Sequence, residues 1–151
     1  MNIDCALSVG EEGFVTVIDS SEDVLVETSR NNAALVDAER VKVVRWPQGL
    51  SKMTEGQKFH QLYCVNAGYL QLWGDLAMKP QDVLRRGKDL LVRNGRVAVL
   101  VPYPTSETHE DRVAETTGAM KSAGFAQVEV RAGLKGGTGN AIGTVVLGIN
   151  A

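Results

Sequence analysis

Asp19 ends a run of β-branched residues, Val15-Thr16-Val17-Ile18, and a helical pattern begins directly after Ser20 and Ser21. A carboxylate at the end of such a strand can accept hydrogen bonds from neighbouring hydroxyls of a ligand. The same residue can instead support the first turn of the helix that follows, as a neighbour of its N-cap. Upstream, Gly10 and Gly13 flank two carboxylates, Glu11 and Glu12. A glycine loop holds a cofactor when its backbone approaches closely and the next helix offers free N–H groups. Here the loop runs straight into the Phe14 strand, so the expected role is a tight reversal.

Other candidates carry weaker chemistry. Tyr69, Leu72 and Trp73 follow the third strand, where ligands of doubly wound folds bind, and their aromatic content suits a partner surface. Lys135-Gly136-Gly137-Thr138-Gly139-Asn140 lacks the spacing of a phosphate loop and reads as a hairpin tip. His60 and His109 are far apart and have no cysteine at ligand spacing, so no metal site is expected. The carboxylates Glu110 and Asp111 suit the first turn of a helix instead. No G-x-S-x-G elbow surrounds Ser20 or Ser21. Cys5 and Cys64 make neither a disulfide framework nor a CxxC pair, and two reduced, buried thiols are expected.

These residues must be positioned by alternating elements. Strand 14–18 leads into a helix capped by Ser20, with Asp23 three residues on, ending near residues 36–38. Val41 to Trp46 is the next strand, stopped by Pro47. Phe59 to Val65 is the third. Pro80 opens a helix whose Val83, Leu84, Leu90 and Leu91 face the sheet, with Asn94-Gly95 as its stop. Arg96 to Val101 is a buried strand. A helix over 107–122 turns Val113, Met120 and Ala123 inward and stops at Gly124. Strands 126–131 and 142–149 form an antiparallel hairpin, and an extra strand is expected over residues 3–9. The fold class is therefore α/β: a mostly parallel Rossmann-like sheet with helices on both faces and a C-terminal antiparallel hairpin as its edge.

The 151 residues fit one domain, 1–151, that can bury a core of its own. Eighteen Asp plus Glu against sixteen Lys plus Arg leave a net charge of -2, which gives no field to recruit nucleic acid. No apolar run is long enough to span a bilayer, and the start lacks a signal peptide, so a cytoplasmic address and no membrane are expected.

Two segments resemble class I methyltransferases that bind S-adenosylmethionine: Val17 to Leu25, like their second strand and helix, and Leu90 to Val97, like their helix-to-strand turn. In an active member the residue at the Asp19 position holds the cofactor's ribose. Only fourteen residues precede Val15, too few for the strand, loop and helix that would come first. The degenerate start, with Gly13 to Asp19, Phe59 to Tyr63, Leu90 to Gly95 and Ser122 to Phe125, is similar to the N-terminal domain of the anamorsin family. That resemblance implies a non-catalytic scaffold domain without a cofactor of its own, in a cytosolic iron-sulfur cluster assembly factor that works in electron transfer. It further implies a diflavin reductase as protein partner, with the clusters on a separate C-terminal domain that this chain lacks. The alternative expectation is a methyltransferase with a reshaped cofactor site bounded by Gly10, Asp19 and Asn66.

Overall fold

The computed structural model describes residues 9–19, 21–45, 56–65, 79–103, 109–135 and 139–151. The chain divides into two compact units, Met1–Glu55 and Gly56–Ala151.

In the first unit, β1 (Val15–Asp19) lies parallel to β2 (Val41–Arg45), with Val15 opposite Val41 and Asp19 opposite Arg45. Parallel neighbours need a crossover. It consists of α1 (Glu22–Asn31) and α2 (Ala33–Asp37). The N-cap is Ser21, one residue later than expected: its Oγ accepts from the Val24 N–H at 3.4 Å, and Glu22 and Asp23 fill the first turn. The single helix expected to run to residues 36–38 is broken at Asn32. There φ is -122°, and the side-chain Nδ2 donates to the Thr28 carbonyl at 2.7 Å. Asn offers the backbone an alternative partner, which is why it interrupts helices.

Ahead of β1 the expected reversal is present: Gly13 N–H donates to the Gly10 carbonyl at 3.2 Å, and Gly10 has φ +75°. A Cβ at Gly13 would collide with Val9, so the turn requires glycine. Of the strand expected over residues 3–9, only Val9 is among the described residues, and it belongs to this turn.

The second unit holds a four-stranded mixed sheet of β3 (Phe59–Val65), β4 (Leu91–Pro102), β5 (Ala126–Lys135) and β6 (Ala141–Ile149). Its order is β3-β4-β6-β5, with β3 parallel to β4 and β6 antiparallel to both neighbours. The hairpin forms the expected antiparallel edge and joins the sheet through β6, which lies between β4 and β5. Helices α3 (Pro80–Asp89) and α4 (His109–Ser122) pack with the sheet. Alternate residues Val97, Val99 and Val101 of β4 are fully buried with Val146, Leu84, Met120, Phe125 and Cys64.

The helix expected to reach Asn94-Gly95 stops at Asp89, and Leu90 and Leu91 do not belong to it. Leu90 caps α3 and accepts from the Phe59 N–H at 2.8 Å, while Leu91 already opens β4. Asn94, at φ +63°, donates its N–H to the Asn150 carbonyl at 2.6 Å, and Asn150 N–H returns a bond to Gly95 at 2.9 Å. The Asn150 amide also bonds the carbonyls of Leu91 and Val92 at 3.2 and 3.1 Å. The register accordingly jumps from Phe59 opposite Leu91 to Gln61 opposite Arg96. Asn-Gly thus serves a bulged strand, because long-range pairing satisfies its backbone better than a helix end would.

Candidate functional site

Polar side chains gather just at or after the carboxyl ends of β1 in the first unit and β4 in the second. In the first, Asp19 ends β1 half-buried. Its Oδ1 accepts the Ser21 N–H at 2.8 Å, which places the chain for α1. Arg45, opposite Asp19 in the register, is turned to Glu22 at 3.1 Å instead. Asp19 Oδ2 thus has no hydrogen-bond or ion-pair partner among the described residues. One oxygen positions the carboxylate and the other can accept from a ligand. Of the two roles expected of Asp19, the bond to Ser21 shows the structural one, as the neighbour of a cap.

Gly10 is not brought to that place. Its turn precedes β1 at the amino end, while Asp19 lies at the carboxyl end, so five strand residues separate them by roughly 16 Å. Arg40 further engages the turn, bonding the Gly10 carbonyl and, at 3.3 Å, the Gly13 carbonyl. Asn66, Tyr69, Leu72 and Trp73 lie outside the described residues, as do Cys5, Ser20 and residues 136–138 of the glycine-rich tip.

In the second unit, the carboxyl end of β4 meets the start of α4. His109 Nδ1 lies 3.1 Å from the Pro102 carbonyl, which can only accept, so Nδ1 carries the proton. Nε2 then accepts from the Thr144 hydroxyl at 2.9 Å, and Thr144 is buried. The Tyr103 ring lies against His109 with centroids 4.7 Å apart and planes at 45°. The Tyr103 hydroxyl accepts the Gly133 N–H at 3.0 Å. With both ring nitrogens engaged, His109 ties the end of β4 and the start of α4 to β6. Sequence reasoning passed over Tyr103 and Thr144. Tyr103 directly follows the clearest buried strand, a usable signal, whereas Thr144 is one polar residue inside an apolar run and gives none.

Cys64 is a free, buried thiol whose pKa burial pushes up to about 12, so it is protonated and unreactive in the folded chain. Among the described residues no group of three or more His, Cys, Asp or Glu is placed to hold a metal. None of the described helices is long and apolar enough to cross a membrane.

No protein-family model and no curated protein matches the sequence. Solved structures do resemble the fold. A SAM-dependent O-methyltransferase from Thermotoga maritima matches 97% of this chain and 53% of its own length, with TM-score 0.64 and 16% identity. A methyltransferase from Pyrococcus furiosus matches 97% and 68%, with TM-score 0.65 and 18% identity. A predicted O-methyltransferase from Agrobacterium tumefaciens matches 97% and 67%, with TM-score 0.57 and 16% identity. The chain thus spans about half the length of the Thermotoga protein. At these identities the likeness establishes the fold: an α/β methyltransferase-like architecture with a mixed sheet and C-terminal antiparallel strands. It also corrects two expectations. A non-catalytic domain without a cofactor of its own was expected from the short start, yet these solved structures are methyltransferases, and the Thermotoga one is SAM-dependent. Nothing in these likenesses points to iron-sulfur assembly. The error lay in treating chain length ahead of Val15 as decisive, when the fold is recognised by the strand order and crossovers that follow it.

Proposed function

We propose that this chain is the cofactor-binding fold of an S-adenosylmethionine-dependent methyltransferase that acts on an oxygen acceptor. The observation that carries the reading is Asp19: a half-buried carboxylate at the carboxyl end of a parallel strand, fixed through Oδ1 and open at Oδ2. Ligands of doubly wound folds bind outside the carboxyl ends of the strands, and an acidic residue there accepts from ribose hydroxyls. The negative first turn of α1, with Glu22 and Asp23, suits an unphosphorylated ribose better than one bearing a 2′-phosphate. The described residues therefore fit the ribose end of such a cofactor.

When bound, S-adenosylmethionine supplies a methyl group on a positively charged sulfur, open to attack by a nucleophilic oxygen. The contribution of Asp19 is orientation, since a carboxylate with one oxygen already anchored loses little freedom on accepting a ligand. No proton-transfer role is assigned to His109, whose two ring nitrogens are engaged by Pro102 and Thr144. The oxygen acceptor is supported by analogy with the O-methyltransferases that share the fold.

Calorimetric titration with S-adenosylmethionine tests the reading. Binding is expected in the micromolar range, with chemical-shift changes at Asp19 and Ser21 in a parallel NMR titration. Asp19→Ala is expected to weaken it by roughly tenfold or more, the effect of losing hydrogen bonds to a charged acceptor. No binding at millimolar ligand, or an Asp19→Ala variant that binds as the parent does, overturns the proposal.

A further inference from the structure

The carboxyl end of β4 holds an exposed aromatic ring that is fixed from several sides. Tyr103 is 41% exposed, yet its hydroxyl is held by Gly133, its ring lies against His109, and its N–H donates to the Ile142 carbonyl at 3.0 Å. His109 is itself locked by Pro102 and the buried Thr144. Beside it Ile142 is 40% exposed. Alternation along β4 and β6 puts Tyr103 on the side of Val101, and Ile142 on the side of Thr144, so among the described residues these two side chains continue the buried face past the end of β4.

We infer that Tyr103, with His109 behind it and Ile142 beside it, forms a binding platform for a small planar aromatic ring carried by the substrate. A side chain already immobilised loses little entropy when a ligand stacks on it, and preorganised aromatic surface is what small-ring sites use. Offset or tilted contact with a ring is worth more than its buried area alone. The two residues after His109 are the exposed carboxylates Glu110 and Asp111, so a neutral or cationic ring is favoured over one bearing phosphate. In substrate terms the inference rests on the methyltransferase reading, but ring binding at Tyr103 requires no cofactor.

The experiment is an NMR titration of the full chain, without S-adenosylmethionine, using phenol and, as a non-aromatic alcohol of similar size, cyclohexanol. Phenol is expected to shift the amides of Tyr103, His109 and Gly133 saturably, and cyclohexanol to do so more weakly. Tyr103→Ala is expected to weaken phenol binding by roughly two- to tenfold, and Tyr103→Phe, which keeps the ring but loses the Gly133 bond, by less than about threefold. Absence of shifts at this cluster, equal responses to both alcohols, or phenol affinity unchanged in Tyr103→Ala overturns the platform. Should Tyr103→Ala fail to fold, the comparison of the two alcohols on the parent chain and on Tyr103→Phe decides. Because Asp19 and Ser21 report the cofactor separately, phenol binding without cofactor binding refutes the methyltransferase reading alone, and the reverse refutes the platform alone.

Discussion

β1 and β4 are both parallel strands rich in valine, yet they end in different surroundings. Every residue of β1 is half-buried, and in its unit only Leu25, Thr28, Asn32 and Val41 are buried among the described residues. In β4, Leu91, Val97, Val99 and Val101 are no more than 3% exposed. The difference comes from neighbours. β4 is paired on both edges, by β3 and β6, and covered by α3 and α4, whereas β1 has one strand neighbour among the described residues. A two-stranded sheet is marginal by itself, and three or more strands with a packed face are needed for independent stability. Apolar runs therefore mark where a strand can be buried, and the packing partners decide whether it is.

The contrast is broken most severely by opening a cavity in the better core. Met120→Ala, at a fully buried position against β4, is expected to cost about 2–5 kcal/mol in chemical denaturation. Amide exchange in β3, β4 and β6 should rise with it. A loss under about 1 kcal/mol would mean that this core does not dominate stability.

Asn150→Ala should cost about 1–3 kcal/mol, because two carbonyls of the β4 bulge lose their side-chain donor. Amide exchange at Leu91 to Gly95 is the local reporter, and unchanged protection there would show that the backbone pair between Asn94 and Asn150 suffices.

The pH dependence follows from Cys64. Its folded pKa is raised to about 12 by burial, above the ordinary value of 9.0. Below about pH 9 the thiol is protonated in both folded and unfolded chains, and its contribution is fully present. As pH climbs towards 12 only the unfolded thiol ionises, so stability falls, by roughly 1 kcal/mol at pH 10. Replacing Cys64 with Ala should flatten that part of the denaturation midpoint's pH profile; an unchanged slope would assign the loss to other groups.

The smallest effect belongs to the lightly buried unit. Ser21→Ala removes a long and exposed cap bond of 3.4 Å, so about 0.5 kcal/mol is expected, at the low end for N-caps. It should appear as faster exchange in α1 with no change in β4. Equal changes in both would mean that the two units unfold together.

Much of the fold was legible because local rules and tertiary pairing agree there. β3 occupies the expected residues 59–65, β2 differs by one residue, and α4 turns Met120 and Ala123 inward with Gly124 at φ +83° as its stop. The failures fall where distant residues compete for backbone bonds. Leu90 and Leu91 have helical spacing with Val83 and Leu84, but Phe59 and Asn150 take their backbone into the sheet region. The hairpin and its place at the sheet edge were readable, and which of its strands pairs with β4 was not, since β6 meets β4 through seven residue pairs far apart in sequence.

The place of Asp19 in the fold was readable because a strand end and a helix start meet at one acidic residue. That Gly10 is separated from it became visible only once β1 was a strand with two ends. The Tyr103 platform was hidden for a similar reason: His109, Thr144 and Gly133 come from α4, β6 and β5, and no spacing in the sequence relates them. The sequence by itself determined the alternation of strands and helices, because periodicity and capping act over a few residues. The tertiary structure alone decided strand order, the bulge at Asn94 and which polar groups meet at the strand ends, because those depend on hydrogen bonds and packing between segments whose distances the chain does not encode locally.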